Sequence, residues 1–158
     1  MIFVGQFDYT VDVQGRINLP GEWRSEGENS WILLPDGAQA LILTTEKALM
    51  SFFAELQKLS LAEPSLRLAA ARIGSLARSC RCDRQGRLAL PKARLEAAGI
   101  DRNIRLIGAV THIRLCAPEN WESGAVDLRL SESLDTLERL GNDGGALASL
   151  VEGLLNNE

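Results

Sequence analysis

Large apolar residues recur with a period of two in two short segments, alternating with Asn18 in INLP (17–20) and with Ala89 in LALP (88–91). This period is typical of a strand with one buried face and one face in water. A glycine shortly before each segment favours a tight turn, and each segment ends at a proline. Because proline has no N–H to donate, it suits the first position of a helix. We therefore predict a hairpin followed by a short helix at both places, over 21–27 and 92–99.

A helical period of 3.6 residues replaces the strand period between these two places. Thr44 or Thr45 can cap a helix that runs to about Leu59, and a second helix is expected after Pro64. Apolar residues share one side of each predicted helix: Leu49, Phe52, Phe53, Leu56 and Leu59 in the first, and Leu66, Ala69, Ile73 and Leu76 in the second. The two helices connect the two β-rich parts of the chain.

The β-rich parts repeat one pattern, and we call them copy one and copy two. DVQGRINLP (12–20) and DRQGRLALP (83–91) agree at six positions, at an offset of 71 residues. WILLPDGAQALILTTEKAL (31–49) resembles NIRLIGAVTHIRLCAPENW (103–121) more loosely, at an offset of 72. Internal repetition indicates two related structural units.

Two such units, each with few core residues, gain most by packing against each other. The closely spaced strands disfavour a parallel sheet, which needs long crossover connections. The sequence thus predicts a mainly β protein with helices (α+β), in which two units form a pseudo-twofold β-barrel with peripheral helices. The expected divisions are a first unit (5–52), linking helices (53–78), a second unit (79–124) and an acidic, partly helical tail (125–158).

The composition is that of an ordinary folded protein, with 46% hydrophobic and 24% charged residues. The N-terminus lacks the basic region of a secretory signal, and no apolar run approaches the roughly 18 residues of a membrane span. Three cysteines, two of them separated by a single residue, disfavour a disulfide framework. We expect a cytoplasmic protein that does not associate with membranes.

The net charge of −4 conceals an uneven distribution. Residues 67–94 contain eight basic residues and one acidic residue, whereas residues 119–158 contain nine acidic and two basic residues. Such asymmetry indicates partners better than the total charge does. The basic segment suits an anionic partner, and the acidic tail could either bind another partner or cover the basic face.

Both copies carry an Asp-x-x-Gly-Arg turn. Its defining residues are Asp12, Gly15 and Arg16 in the first turn (residues 12–16), and Asp83, Gly86 and Arg87 in the second turn (residues 83–87). Glycine adopts the positive φ that such loops often need, and the aspartate can accept N–H groups of the turn and face the arginine. For one turn, hairpin stability and a surface ion pair worth at most about 1 kcal/mol are a sufficient explanation. An arginine at both turns is better explained by DNA binding, because a fixed guanidinium on a β-ribbon can pair bidentately with phosphate or guanine.

The doubled turn resembles the MraZ family, whose members carry two AbrB-like (SpoVT-AbrB) swapped-hairpin units in one chain. The resemblance also rests on FVGQFDYTVD (3–12), on the helix pair after LTTEKAL (43–49) and on IRLIGAVTHIRLCAPENWE (104–122). It covers about residues 1–125. It implies a swapped-hairpin barrel and a homo-oligomer, such as a ring of several subunits.

The same resemblance implies a nucleoid-associated transcriptional regulator that binds double-stranded promoter DNA. The sites would be short repeats upstream of cell-division and cell-wall genes. Carried over residue by residue, the DNA-contacting arginines are Arg16 and Arg87, and Asp12 and Asp83 hold them in place. Avidity from several subunits would raise the affinity for repeated sites.

The residues before the turn glycines depart from the family pattern. Where the first motif usually has lysine, this chain has Gln14, and the second copy has Gln85 beside Arg84. Loss of a cation weakens phosphate attraction, although glutamine can still hydrogen-bond adenine and Arg84 can supply charge. The candidate nucleic-acid-binding residues are therefore Arg16, Arg87, Arg84, Gln14 and Gln85, with Asp12, Gly15, Asp83 and Gly86 supporting the turns.

We expect no enzymatic activity, small-molecule substrate, cofactor or metal. The sequence has no GxxxxGK, GxGxxG or GxSxG motif. His112 lies in an apolar strand segment, where a packed or edge histidine is more common than a base. Cys80, Cys82 and Cys116 could form a zinc site with His112, but cysteines buried in paired strands are the more common arrangement.

One alternative stays open at this point. An AbrB-like assembly or antitoxin-type protein, with weak or no sequence-specific DNA binding, would use the same hairpin unit. Such relatives usually carry one unit per chain, so the internal repeat favours the MraZ interpretation.

Overall fold

The computed structural model of the protein describes residues 1–27, 29–37, 39–57 and 64–122. Within these ranges the chain forms eight strands and four α-helices. The strands are β1 (Gln6–Thr10), β2 (Arg16–Asn18), β3 (Ser30–Pro35), β4 (Ala40–Thr45), β5 (Arg78–Arg81), β6 (Arg87–Ala89), β7 (Asn103–Gly108) and β8 (Ile113–Cys116). The helices are α1 (Glu46–Gln57), α2 (Pro64–Leu76), α3 (Lys92–Ala97) and α4 (Pro118–Glu122). The predicted acidic tail, residues 125–158, lies outside the described residues.

The order of the strands shows how the two copies combine. The strands form a six-stranded sheet in the order β1-β7-β8-β4-β3-β5 and a two-stranded ribbon of β2 and β6. In the repeat, β1 to β4 correspond to β5 to β8. Exchanging the copies and reading the large sheet from its other end gives the same order, as a pseudo-twofold axis requires.

The two copies exchange strands. The first strand of copy one, β1, pairs antiparallel with the third strand of copy two, β7. Reciprocally, β5 of copy two pairs antiparallel with β3 of copy one. This exchange is the swapped arrangement that the resemblance implied. The division at residues 52, 78 and 124 stays a prediction.

The α+β class is confirmed, but the strands do not close into one barrel. Among the described residues, β1 and β5 form the two edges of the large sheet. A single isolated bridge, between Cys82 and Leu88, connects the β5 hairpin with the ribbon. Within the described residues, neither β2 nor β6 forms a ladder with a strand of the large sheet. The expected barrel is therefore corrected to a large sheet and a separate ribbon.

The hydrophobic core lies between the ribbon and the large sheet. Ile17 and Leu88 of the ribbon belong to the same buried cluster as Leu33, Ile104 and Leu115 of the sheet. Full burial of such a side chain stabilises a fold by about 1.5–3 kcal/mol. Since both copies contribute to one cluster, the core holds the ribbon in place relative to the sheet.

The linking helices follow the prediction in the described part of the chain. The Thr45 hydroxyl oxygen accepts the N–H of Ala48 at 3.1 Å, which is an N-cap bond at the start of α1. α2 begins at Pro64 and buries Ala69 and Ile73. No helix in the described part of the chain has the length and apolarity needed to cross a membrane.

The two predicted short helices differ. Residues 92–99 contain α3, whereas residues 21–27 form only a 3-10 turn at Gly21–Trp23. Copy two supplies alanine, leucine, lysine and arginine here, which are good helix formers, whereas copy one has two glycines. The prediction of a short helix in copy one was therefore only partly correct.

Candidate nucleic-acid interface

The ribbon of β2 and β6 has one apolar face and one polar face. Ile17 pairs with Leu88, and their side chains are only 1% and 0% exposed. Successive side chains of a strand alternate between faces, so the neighbouring positions lie on the opposite face. That outward face carries Arg16 opposite Ala89 and Asn18 opposite Arg87.

The register makes the two arginines diagonal neighbours. In an antiparallel pair such neighbours are typically about 7–8 Å apart. The two strands come from different copies, so the folded protein brings together arginines that lie 71 positions apart in sequence. Their side chains are 30% and 34% exposed, and water or a ligand can therefore reach both guanidinium groups.

One aspartate shapes each turn. In the first turn, Oδ1 of Asp12 accepts the N–H groups of Gln14 and Arg16, both at 2.9 Å. Its Oδ2 accepts Nε of Arg16 at 2.7 Å. A carboxylate that accepts backbone N–H groups and faces a guanidinium fixes both the loop and the arginine.

The second turn repeats this arrangement. Oδ1 of Asp83 accepts the N–H groups of Gln85 and Arg87 at 2.9 Å each, and Oδ2 accepts Nε of Arg87 at 2.8 Å. Each arginine thus uses Nε internally. Its two Nη atoms have no hydrogen bond to any of the described residues and remain available to a ligand.

The hydrogen bonds also keep both aspartates ionised. The N–H of Arg16 is the largest cause that lowers the pKa of Asp12, and the Arg16 side chain and the N–H of Gln14 add to it. Arg87 and Gln85 lower the pKa of Asp83 in the same way. At neutral pH both carboxylates are charged and hold their arginines.

A glycine with positive φ closes each turn. The φ of Gly15 is +75° and that of Gly86 is +79°, a region that other residues rarely adopt. Their carbonyl oxygens accept hydrogen bonds from the other copy: Leu90 donates to Gly15, and Leu19 donates to Gly86, both at 2.9 Å. The glycine of each turn is therefore hydrogen-bonded to the leucine that follows the ribbon strand of the other copy.

The remaining predicted residues lie in the turns and are exposed. They are Gln14 in the first turn, and Arg84 and Gln85 in the second turn. Val13 occupies the position in the first turn that Arg84 occupies in the second, and it is 96% exposed. The sequence prediction gave no role to Val13, although a large apolar residue at the tip of a polar turn is unusual.

Arg24 is a further cation at the second turn, which sequence reasoning missed. Its guanidinium lies so close to Gly86 that a Cβ atom at position 86 would overlap it. A Cβ at Gly21 would lie 3.3 Å from Nη2 of the same side chain. No local sequence pattern connects positions 24 and 86, which the pairing of β2 with β6 brings together.

The cysteines and the histidine are not residues of the two ribbon strands. Cys80 and Cys116 are buried, and burial raises the pKa of both thiols. His112 is partly buried, which lowers its pKa, and its Nδ1 lies 3.0 Å from the hydroxyl oxygen of Thr111. Within residues 1–27, 29–37, 39–57 and 64–122, no group of three His, Cys, Asp or Glu side chains is placed to hold a metal ion.

Comparison with known proteins extends this description. No model of a protein family matches the chain. Proteins described as "Transcriptional regulator MraZ" do match it. That of Caldicellulosiruptor saccharolyticus is 28% identical over 142 residues, which is 89% of this chain and 99% of the relative. That of Caldicellulosiruptor bescii is 29% identical over 142 residues, again 89% of this chain and 99% of the relative.

A third relative, from Thermomicrobium roseum, carries the same description. It is 26% identical over 139 residues, which is 88% of this chain and 97% of the relative. The similarity thus spans nearly the whole of each relative, and it accompanies a doubled Asp-x-x-Gly-Arg turn on a strand-swapped, pseudo-twofold fold. On these grounds the chain is similar, over nearly its whole length, to the transcriptional regulators described as MraZ.

Proposed function

We propose that the protein regulates transcription by placing the β2–β6 ribbon in the major groove of double-stranded promoter DNA. The observation that carries this proposal is the pair of arginines on one outward face, each held by an aspartate through the same hydrogen bonds. The similarity to transcriptional regulators described as MraZ supports the same function. In this proposal the protein acts as a binding protein, with no catalytic step and no small-molecule substrate.

The dimensions of the ribbon suit this role. Neighbouring strands lie about 4.8 Å apart, and the major groove of B-DNA is about 12 Å wide, which admits a two-stranded ribbon. Arg16 and Arg87 would enter with their Nη atoms unengaged. Each can make a bidentate contact with guanine or with a phosphate, because a guanidinium presents its donors in a fixed plane.

The polar residues beside the arginines would contribute to recognition. We propose that Gln14 and Gln85 hydrogen-bond base edges, with adenine as the partner that a glutamine side chain fits. Arg84 would add attraction to phosphate at the second turn. Asp12, Gly15, Asp83 and Gly86 would act indirectly, since they fix the turns that present these side chains.

The cellular role follows the family resemblance. We propose that the sites are short promoter repeats upstream of cell-division and cell-wall genes, and that the protein acts in the cytoplasm at the nucleoid. We also propose a homo-oligomer, in which several ribbons bind several repeats and raise the affinity by avidity. The exposed side chains of Ile2, Val4 and Val110 support self-association, because Phe3 pairs with Val110 and thus brings them together.

A gel-shift titration with the DNA upstream of the protein's own gene tests the proposal. It is run at several salt concentrations, beside a scrambled fragment of the same base composition. Arg16→Ala and Arg87→Ala are each expected to weaken binding to the promoter by about 1–3 kcal/mol if they contact bases. Lys47→Ala is the matched control, because Lys47 is an exposed cation on α1 rather than on the ribbon.

The possible outcomes separate the functions. Preference for the promoter fragment, with a larger loss in the two ribbon variants than in the control, supports the proposal. Equal losses on promoter and scrambled DNA would mean that the arginines contact only phosphate. Absence of any shift at low salt would contradict DNA binding and favour an AbrB-like assembly protein instead.

A further inference from the structure

The residue before Arg24, Trp23, is buried and hydrogen-bonded, and it fixes the backbone at Arg24. Trp23, which precedes it, is only 1% exposed, and its Nε1 donates a hydrogen bond to the carbonyl oxygen of Val4 at 3.2 Å. The Trp23 ring also meets the rings of Phe3 and Phe7 edge-on, with centroids 5.9 Å and 5.0 Å away. The backbone that carries Arg24 is therefore fixed, although the Arg24 side chain itself is exposed.

Two glycines provide the space for its guanidinium. Any Cβ at position 86 would overlap the guanidinium, and a Cβ at position 21 would press on Nη2. Gly86 belongs to copy two, whereas Gly21 and Arg24 belong to copy one. The guanidinium thus lies at the boundary between the copies, directly on the turn that presents Arg84 and Arg87.

The charge of Arg24 has no carboxylate partner among the described residues. The acidic residue of the second turn, Asp83, is engaged by Arg87. The thiol of Cys82 has a pKa raised by burial and by Asp83, and Arg24 opposes that rise. The charge of Arg24 therefore acts on the thiol of Cys82, beside the second turn. No salt bridge among the described residues neutralises it.

The first turn lacks this cation. By the offset of the repeat, the position of Arg24 corresponds to Leu95, a residue of α3 that is 3% exposed. Leu95 and Gly15 line an open groove beside the first turn. At that turn the nearest atom to a Cβ on the glycine is the carbonyl oxygen of Leu90, at 2.9 Å, rather than a guanidinium.

We propose that Arg24 binds a backbone phosphate of the DNA at the second turn, so that copy one supplies a cation to the binding surface of copy two. This inference rests on the proposed function. Arg24, Arg84 and Arg87 then form a cluster of three guanidinium groups around one turn. A phosphate is the ligand that an exposed guanidinium with no carboxylate partner among the described residues is suited to bind beside a groove-binding ribbon.

The test measures the salt dependence of DNA binding for Arg24→Leu. Each phosphate contact contributes about −0.9 to the slope of log K against log salt. Arg24→Leu is therefore expected to make the slope about 0.9 less steep and to lower the affinity about fivefold near physiological salt. The loss should be equal on promoter and scrambled DNA, because phosphate contacts carry no sequence information.

Two further variants separate charge from packing. Arg24→Lys keeps the charge and is expected to keep most of the slope, whereas Lys47→Leu removes a cation outside the ribbon and should leave the slope unchanged. Thermal unfolding of each variant monitors the fold. If Arg24→Leu lowers the melting temperature and the affinity but leaves the slope as it was, Arg24 acts only by packing and the inference is overturned.

The failure of this inference differs from the failure of the proposed function. If the unaltered protein does not bind DNA at low salt, the proposed function fails. If it binds DNA and Arg24→Leu has the same slope and affinity, the ribbon binds DNA but Arg24 does not contact phosphate. Should Arg24→Leu fail to fold, Arg24→Gln replaces it, since glutamine removes the charge and keeps a polar side chain.

Discussion

The first turn and the second turn share the hydrogen bonds that shape them and differ in the side chains around them. In both, an aspartate accepts two backbone N–H groups and the Nε of an arginine, at distances that agree within 0.1 Å. Around this common frame, the first turn has Val13 at its tip, and the second turn has Arg84 at its tip and Arg24 against its glycine.

This difference shows which positions are constrained by the backbone and which are not. Aspartate, glycine and arginine hold the loop, and replacing one of them disturbs its shape. The tip residue and the neighbour across the copies make no hydrogen bond that the loop needs. The pseudo-twofold fold therefore presents two similar turns with unequal charge, and we expect them to contribute unequally to DNA binding.

The largest effect is expected when both arginines are removed. If the two contributions add, Arg16→Ala combined with Arg87→Ala lowers promoter affinity by about 2–6 kcal/mol. Arg87→Ala alone is expected to cost less of the salt dependence than the double variant, because Arg16 remains at the first turn. Quantitative titration of the single and double variants gives the coupling. A double variant no weaker than the worse single variant would show that only one turn contacts DNA.

The two turn glycines are expected to respond differently to alanine. Both need a positive φ, which costs an alanine roughly 1–2 kcal/mol. Alanine at Gly15 also meets the backbone oxygen of Leu90 at 2.9 Å, which cannot move freely, whereas alanine at Gly86 meets the flexible end of Arg24.

Gly15→Ala should thus lose more folding stability, and Gly86→Ala should lose more DNA affinity relative to its loss of stability. Chemical denaturation and DNA titration of the same two proteins measure both quantities. A larger stability loss for Gly86→Ala would contradict the difference in surroundings.

Exchanging the tip residues should move charge from one turn to the other. Val13→Arg adds a cation to the first turn and is expected to steepen the salt slope by about 0.9, and Arg84→Val should make it less steep by about the same amount. The double exchange should restore a slope near that of the unaltered protein. If Val13→Arg leaves the slope unchanged, the first turn does not approach the phosphates.

The smallest effect concerns pH. Because the pKa values of Asp12 and Asp83 lie below the ordinary value, their contribution to turn stability is complete above that value, about 3.9, and is lost as the pH falls through the lowered values. Both turns should therefore stay closed at neutral and mildly acidic pH. Carboxyl chemical shifts followed by NMR would test this, and a midpoint above 3.9 for either aspartate would contradict it.

Much of the fold was predictable because the repeat encodes it locally. The strand period placed β2 and β6, and a hydroxyl residue before an apolar helical pattern placed the start of α1 at Thr45. The doubled turn indicated two related units, from which the pseudo-twofold arrangement follows. These features depend on neighbouring residues, so that sequence patterns reveal them.

What the sequence could not reveal depends on distant contacts. The ribbon is separate from the large sheet because β2 and β6 form a ladder with each other and not with the sheet strands described. No residue type in the sequence marks where such a ladder ends. The place of Arg24 beside Gly86 depends on the pairing of β2 with β6, which joins residues far apart in sequence. The DNA-facing roles of the predicted residues stay predictions.

The exchange of β1 and β7 sets a time scale for folding during synthesis. Gln6 pairs with Ile107, so the first strand has no partner until about a hundred further residues have been made. At the usual rate of about 5–20 residues per second, the ribosome needs roughly 5–20 s to produce the partner strand. During that interval β1 is an unpaired edge, which other nascent chains or a chaperone can contact. The symmetry that positions the two arginines thus makes β1 the strand of the large sheet that waits longest for its partner.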